Sequence, residues 1–285
     1  MFVLVCPCIL NPSLRAEGIT KPSDIDGFNQ SIKRCEKFGI EIFPLPCPET
    51  LYLGLKRKPG TFLERLNTPD FTSMLDLLEL KVHEVIDTRG YPLFILGVNS
   101  SPTCGVTTTY YGNPGNELPK RVGRGVFLAR FPTIKAIDVL EFAKYRIYLA
   151  APLFTEAERI FNTLIVELLE KNLFEVYVPQ DIGDNSYKRD DIEHKRIFES
   201  NKKGLEDADI IVAIIDGSDA DSGTAWEMGY ATALNKPIIA LRTDFRRVGK
   251  HELVNLMLEQ SATIVRNQSE LLKKLKSPLL FDKAE

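Results

Sequence analysis

Four carboxylates crowd one short segment, Asp216-Gly-Ser-Asp219-Ala-Asp221-Ser-Gly223-Thr-Ala-Trp-Glu227-Met-Gly229. The segment follows the apolar run Asp209–Ile215 (DIIVAII), so it reads as a strand end, an acidic loop and the start of a helix that carries Glu227. Gly223 lets the backbone come close to a ligand, and the first amides of the helix face the same place. A carboxylate in that position can attack the anomeric carbon of a sugar through an oxocarbenium-like transition state, while a second group protonates the departing base. The same residues also read as loop and capping acids beside a solvated Glu227. The pattern leaves both readings open.

The thiols form a second group. All five cysteines (Cys6, Cys8, Cys35, Cys47, Cys104) fall in the first 104 residues. Cys6-Pro7-Cys8, Cys47-Pro48-Glu49 and Ser101-Pro-Thr-Cys104-Gly105 each put a thiol at or just after an expected strand end. Strand ends of a parallel sheet converge, so thiolates far apart in sequence can meet. The C-x2-C pairs of a zinc finger are absent, which makes structural zinc the less natural reading. Thiolates flanked by Gly and Pro suit an iron–sulfur cluster, and buried inert cysteine is the plain alternative. An odd count without a secretory leader argues against a disulfide framework.

The elements that must position these groups are clearest in the second half. Strands are expected at Arg146–Ala151, Phe174–Pro179, Asp209–Ile215, Pro237–Leu241 and Ala262–Val265. Helices are expected from the Thr155 cap to Asn172, to about Glu206, over Thr224–Leu234 and Lys250–Glu259, and from about Asn267. Strict β/α alternation means an α/β fold with a doubly wound parallel sheet. Right-handed crossovers put the ligand site at the carboxyl ends of its strands, where Ala151-Pro152-Leu153-Phe154, the Gln180–Tyr187 loop and the Asp216–Glu227 segment gather. The first half reads as a smaller α/β cysteine-containing domain. Its expected strands are Val3–Cys8, Ile40–Leu45 and Phe94–Val98, its helices Asp26–Phe38 and Thr72–Asp87, and 99–125 is expected to be loop. The domains are expected at 1–132 and 145–285, with a linker helix over 133–144. Among single residues, Trp226 and Tyr230 read as packing, Phe154 as a base-stacking ring, Arg242 and Arg246 as solvated or interface groups, His194 and His251 as surface groups and His83 as structural.

Composition narrows the class. The 285 residues are 44% hydrophobic and 26% charged with a net charge of −3, an ordinary globular balance that excludes collagen, coiled coil and disorder. Residues 1–144 hold 17 basic and 15 acidic groups and residues 145–285 hold 19 and 24, so neither half offers the basic face that nucleic-acid binding wants. No apolar run reaches the ~18 residues of a membrane span. The N-terminal apolar run lacks a basic leader and stops at Asn11-Pro12, so it is expected to be a strand of a cytoplasmic protein rather than a signal peptide.

Residues 145–257 resemble the nucleoside 2-deoxyribosyltransferase family. The resemblance is carried by Ile147-Tyr-Leu-Ala-Ala-Pro-Leu-Phe154 with Ala157-Glu-Arg159, by Val178-Pro-Gln180, by Asp221-Ser-Gly-Thr-Ala-Trp-Glu227-Met-Gly-Tyr-Ala231, and by Leu241-Arg-Thr-Asp-Phe-Arg246 with Asn255. It implies a flavodoxin-like sheet without a cofactor, a covalent deoxyribosyl–enzyme on Glu227, and a deoxynucleoside and a free nucleobase as partners. It further implies Asp221 as the acid that positions the nucleoside or the departing base, and Asn255 as a residue given to a neighbouring subunit of a homo-oligomer. Ala151, Pro152, Phe154, Gln180, Asp184, Asp216 and Gly223 complete the implied substrate site. Asn201 stands where some members carry Asp, so the proton donor stays open among Asp181, Asp184 and Asp221. Deoxynucleotide hydrolases of the superfamily carry Ser in place of Asp221. An acid there repels a 5′-phosphate, which favours a free nucleoside.

Residues 1–130 resemble a divergent 2-thiouracil desulfidase domain through Cys8-Ile-Leu-Asn11 with Arg15 and Glu17-Gly18, Cys47-Pro-Glu49, Ser100-Ser-Pro-Thr-Cys104-Gly105 and Gly123-Arg-Gly-Val126. That resemblance implies a [4Fe-4S] cluster on Cys8, Cys47 and Cys104, with Glu49 and Ser101 as proton-transfer groups. Cys6 is extra, a fourth ligand in prospect. Ala16 replaces the usual Tyr after Arg15. Together the halves are expected to salvage modified nucleosides, one breaking the N-glycosidic bond and the other removing sulfur from a thiolated base. The competing expectations are a non-catalytic nucleotide sensor, a deoxynucleoside 5′-monophosphate N-glycosidase, and a first domain that is only a structural metal module.

Overall fold

The computed structural model describes residues 1–99, 101–110, 121–179, 191–250 and 252–280. The chain divides into two compact units, Met1–Lys144 and Tyr145–Glu285.

The first unit runs β1 (Phe2–Val5), α1 (Pro22–Lys37), β2 (Glu41–Pro44), α2 (Pro48–Leu53), α3 (Phe62–Arg65), α4 (Pro69–Arg89), β3 (Ile95–Gly97), β4 (Thr108–Tyr110), β5 (Arg121–Gly123), β6 (Ala136–Asp138) and α5 (Val139–Phe142). Its main sheet has the order β2-β1-β3-β6 and is wholly parallel, with Phe2 opposite Glu41, Leu4 opposite Ile95, and Ile95 opposite Ala136. All four residues of β1 are buried, as an inner parallel strand covered on both faces requires.

Three segments differ from their expected form. Residues 133–144 are not a linker helix. Ala136–Asp138 adds a fourth strand to the sheet, and only the single turn Val139–Phe142 is helical. Asp138 ends the strand and caps that turn, accepting from Leu140 N at 3.0 Å and Asn99 N at 2.8 Å. Within the expected loop 99–125, β4 and β5 pair antiparallel, Thr108 opposite Gly123. Helix α1 also starts earlier than Asp26. Pro22 fits its first turn, and the Asp24 carboxylate accepts from Lys21 N at 3.1 Å.

The second unit runs β7 (Arg146–Ala150), α6 (Glu156–Lys171), β8 (Glu175–Tyr177), α7 (Asp191–Asp207), β9 (Ile210–Ile214), α8 (Ser222–Ala233), β10 (Ile238–Leu241), α9 (Leu256–Ser261), β11 (Thr263–Val265) and α10 (Gln268–Lys274). Its parallel sheet has the order β11-β10-β9-β7-β8. Counted within the unit this is 2-1-3-4-5, the flavodoxin-like order, whose switch point lies between the first and third strands, here β7 and β9. β9 is buried throughout. Around it Tyr148, Ala213, Met228, Ala231 and Ala240 form the core; each large apolar side chain so buried is worth roughly 1.5–3 kcal/mol.

Helix α6 begins where Thr155 and Glu158 form a reciprocal capping box. The expected helix 250–259 shrinks to α9, because the Asn255 side chain accepts from Met257 N at 3.0 Å and fixes the helix start there. Among the described residues no helix is long and apolar enough to cross a membrane.

Candidate active site

The carboxyl ends of β7 and β9 flank the switch point, and Glu227 sits there on α8, the helix that follows β9. Asp221 is the N-cap of that helix and accepts from Thr224 N at 3.0 Å. The cap sets the first turn, and Glu227 lies about one and a half turns further on, half-buried. Tyr148, fully buried on β7, donates its phenolic O–H to Glu227 Oε1. Burial pushes the Glu227 carboxyl up to about 7; the nearby Asp221 charge adds to the rise and the Tyr148 hydrogen bond opposes it. The result is an acid poised near neutrality, as catalytic carboxylates often are. Burial together with the Glu227 charge also pushes the Tyr148 phenol well above its ordinary range, so it stays a donor.

Tyr148 was not among the expected site residues. The sequence did hold a signal, since a ring with a polar tip in the middle of a buried strand needs a partner for its hydroxyl.

The other expected residues divide. Ala151, Pro152 and Phe154 follow β7 at the rim. Pro152 O accepts from Asn162 Nδ2 at 2.9 Å, and Phe154 is 71% exposed, its backbone N–H donating to Glu158 at 2.9 Å. Gly223 lies in the first turn of α8, where a Cβ would stand 3.0 Å from Asp221 Oδ2.

Asp216 is a brace. Its two carboxylate oxygens accept from Thr243 N (2.6 Å), Asp244 N (2.8 Å) and Thr243 Oγ1 (2.7 Å), tying the loop after β9 to the loop after β10. Arg242, expected to be solvated, is instead fully buried. Its fork satisfies carbonyls of the same two loops, Ile215 O at 2.5 Å, Gly217 O at 3.2 Å and Arg246 O at 3.0 Å, a geometry that planar guanidinium donors suit. Exposed Arg246 pairs with Asp244 and holds that carboxyl well below its usual range. The Asn255 side-chain oxygen is engaged in capping α9. Trp226 and Tyr230 stack on each other with ring centroids 5.3 Å apart, and Trp226 is 48% exposed. Gln180, Asp181, Asp184 and His251 lie outside the described residues.

The first unit contains a cavity of about 490 Å³. Cys8, Cys47, Cys104, Glu49, Ser101 and Arg57 are among its walls, so residues from four separate stretches of chain meet there. Glu49 is the hub. Its Oε1 accepts from Thr103 Oγ1 at 2.8 Å and Ser101 Oγ at 3.1 Å, and its Oε2 pairs with buried Arg57 at 3.3 Å. The loop bearing Cys104 is packed too closely for side chains at its glycine neighbours. A Cβ on Gly97 would meet Cys104 O at 2.6 Å, and one on Gly125 would meet Thr103 O at 2.5 Å. Burial pushes the Cys8 thiol up to about 12, with the neighbouring Cys104 and Cys47 adding to the rise. Cys47 is also raised by burial. Cys6 is fully buried and its Sγ contacts Cys104 O at 4.0 Å. Among the described residues no three His, Cys, Asp or Glu side chains are gathered closely enough to hold a metal ion.

Comparison with known proteins adds to this geometry. An uncharacterised protein of Ureaplasma parvum is 38% identical over 136 residues, covering 41% of this chain and 82% of that protein. Residues 147–266 match the family model described as nucleoside 2-deoxyribosyltransferase. Over these residues the chain is similar to the nucleoside 2-deoxyribosyltransferase family. Similar solved structures include a conserved protein from Enterococcus faecalis, with 28% identity and a TM-score of 0.41 over 46% of this chain and 97% of that one. A 2-deoxyribosyltransferase from Bacillus psychrosaccharolyticus has 23% identity and a TM-score of 0.40 over 48% of this chain and 93% of its own. The family match lies within the second unit, which carries both Glu227 and Tyr148 and by that match is an enzyme of the nucleoside deoxyribosyltransferase class.

Proposed function

We propose that the second unit breaks the N-glycosidic bond of a 2′-deoxynucleoside and hands the deoxyribosyl group to a second base or to water. The observation that carries this reading is the half-buried Glu227 carboxylate held by the Tyr148 hydroxyl at the switch point of the sheet. In the first step a Glu227 oxygen bonds to C1′ as the C1′–N bond breaks, and the bonding pair leaves with the base. That base takes a proton from an acid whose candidates are Asp221, Asp181 and Asp184. In the second step a nitrogen of another base, or water, attacks C1′ and frees the carboxylate, so the sugar keeps its configuration. The reaction asks for no cofactor. Because the carboxyl titrates at about 7, its anion is more basic than an ordinary glutamate and still present at neutral pH. The acid at position 221 opposes a 5′-phosphate, which favours nucleoside over nucleotide.

Chromatography of deoxynucleosides incubated with the protein, with and without an acceptor base, tests the proposal. Glu227→Ala should abolish base release, whereas a ligand-binding sensor would show no release from the unaltered chain. Sedimentation tests the homo-oligomer that the reading also includes.

The cavity of the first unit supports a second reading, desulfuration of a thiolated base. Among the described residues a single ion finds no ready cage there, but three thiols lining one cavity suit a polynuclear cluster, whose ligands bind separate irons. Cys8, Cys47 and Cys104 would hold it, and a bound [4Fe-4S] cluster would supply an iron able to take sulfur. Glu49, paired with Arg57 and accepting from Ser101, would move protons with Ser101. Anaerobic reconstitution followed by iron and sulfide analysis tests this reading. A protein that retains neither element, or a Cys8→Ala variant that retains both in full, counts against it.

A further inference from the structure

Tyr177 has no part in the chemistry described so far, yet four observations converge on it. It lies on β8 directly opposite Tyr148 in the strand register. The two rings stack, with centroids 5.3 Å apart and planes 14° from parallel. Its hydroxyl is tied to α7, at 3.2 Å from Ser200 Oγ and 3.2 Å from Asn201 Oδ1. Finally, Gly204 of the same helix leaves room for the ring, since a Cβ there would stand 2.8 Å from Tyr177 Cε1. Helix α7 therefore fixes Tyr177 by its edge and its hydroxyl, and Tyr177 fixes one face of Tyr148.

We propose that Tyr177 is a positioning residue for glycosidic-bond cleavage, a clamp between α7 and Tyr148 that keeps the Tyr148 hydroxyl aimed at Glu227. This rests on Glu227 being the nucleophile. Cross-strand aromatic pairs do more than fill space, because each ring restricts the other's rotation. Tyr148 could keep its place in the core by burial alone. Keeping its O–H on one carboxylate oxygen needs the ring plane fixed as well, and small errors of aim are costly in a preorganised site. Among the described residues the titratable groups acting on Glu227 are Tyr148, Tyr177 and Asp221, and Tyr148 donates to it.

The test compares Tyr177→Leu, Tyr177→Phe and Gly204→Ala, each also in a Tyr148→Phe background. Tyr177→Leu should lower kcat for base release by roughly 10- to 100-fold, the range that small misplacement costs, with KM nearly unchanged and the acid limb of the pH profile moved upward. Tyr177→Phe keeps the stacked ring and should stay near the unaltered protein. Gly204→Ala, which forces the ring aside while leaving both tyrosines, should move kcat and the acid limb in the same direction as Tyr177→Leu. In the Tyr148→Phe background the Tyr177 change should cost nothing further, because the two act through one hydroxyl. An equal loss in both backgrounds, or a lowered Tm with an unmoved acid limb, would overturn the proposal. A carbon-13 NMR titration of the Glu227 carboxyl reads the same clamp without turnover: Tyr177→Leu should raise its pKa as Tyr148→Phe does. If the unaltered protein releases no base from any deoxynucleoside, the nucleophile assignment fails. The titration then decides the clamp by itself, and an unmoved pKa refutes it.

Discussion

Replacing Tyr148 by Phe removes one oxygen and leaves the ring packed. The Glu227 carboxyl then loses its hydrogen-bond donor while burial and the Asp221 charge persist, and those two push its pKa up to about 7 even with the donor present. A hydrogen bond to a charged group contributes about 1.5–3 kcal/mol, and 1.36 kcal/mol is one pKa unit, so the carboxyl should rise by about one to two units. Water filling the vacated space recovers part of that, which favours the lower end, a value of about 8. At pH 7 the ionised fraction would fall from about one half to about one tenth, a loss of roughly fivefold from titration alone. The assay is kcat/KM for base release from pH 5 to 10, which reports the free enzyme. In the Tyr148→Phe variant the acid limb should move upward and its rate deficit should narrow above pH 9. An unmoved or lowered limb would refute the assignment of that limb to Glu227.

Other outcomes follow from the same interactions. Because the folded state raises the Glu227 pKa, the neutral acid is favoured in the fold: its contribution is whole below the ordinary value of 4.5 and is lost as pH rises through about 7. Glu227→Gln should therefore gain in Tm over the unaltered protein across that window and hold the gain above it; a difference that is flat from pH 4 to 9 contradicts the burial argument. Asp221→Asn keeps a capping side chain but removes a like charge from Glu227, so the acid limb should shift downward, whereas Asp221→Ala should lose about 1 kcal/mol of cap as well, seen in urea denaturation. Glu49→Ala strips buried Arg57 of its carboxylate and should destabilise the first unit by about 3 kcal/mol, the carbonyls of Leu14 and Gly54 still accepting from Arg57; an unchanged denaturation midpoint would contradict a structural role for that pair.

The second unit was legible because its inner strands are compact apolar runs and four of its helices start at a capping residue, Thr155, Asp221, Asn255 or Asn267. Thr155 caps as expected, and Asp221, for which capping was one of two open readings, caps α8. The parallel, doubly wound sheet follows from β/α alternation. What escaped was cross-strand and loop-to-loop contact. Tyr148 reads as an ordinary strand residue until β7 is set beside α8. Arg242 reads as a surface charge because its partners are carbonyls of residues 215, 217 and 246, which carry no signature of their own. Asp216, expected at the substrate, is instead taken up by Thr243 and Asp244. In the first unit Ala136–Asp138 is too short to announce itself as a strand and owes its conformation to the free edge of β3. The meeting of Cys8, Cys47 and Cys104 on one cavity was foreseeable from strand ends that converge, but the hub formed by Glu49, Thr103 and Arg57 depends on side-chain geometry that spacing does not encode.

The most direct measurement is mass spectrometry of the protein mixed briefly with a 2′-deoxynucleoside, quenched in acid and digested. A deoxyribosyl adduct on the peptide carrying Glu227, absent from Glu227→Ala and discharged by an added base, is the expected result. Base release at an undiminished rate by Glu227→Ala, or an adduct on a different residue, would contradict the assignment of the nucleophile.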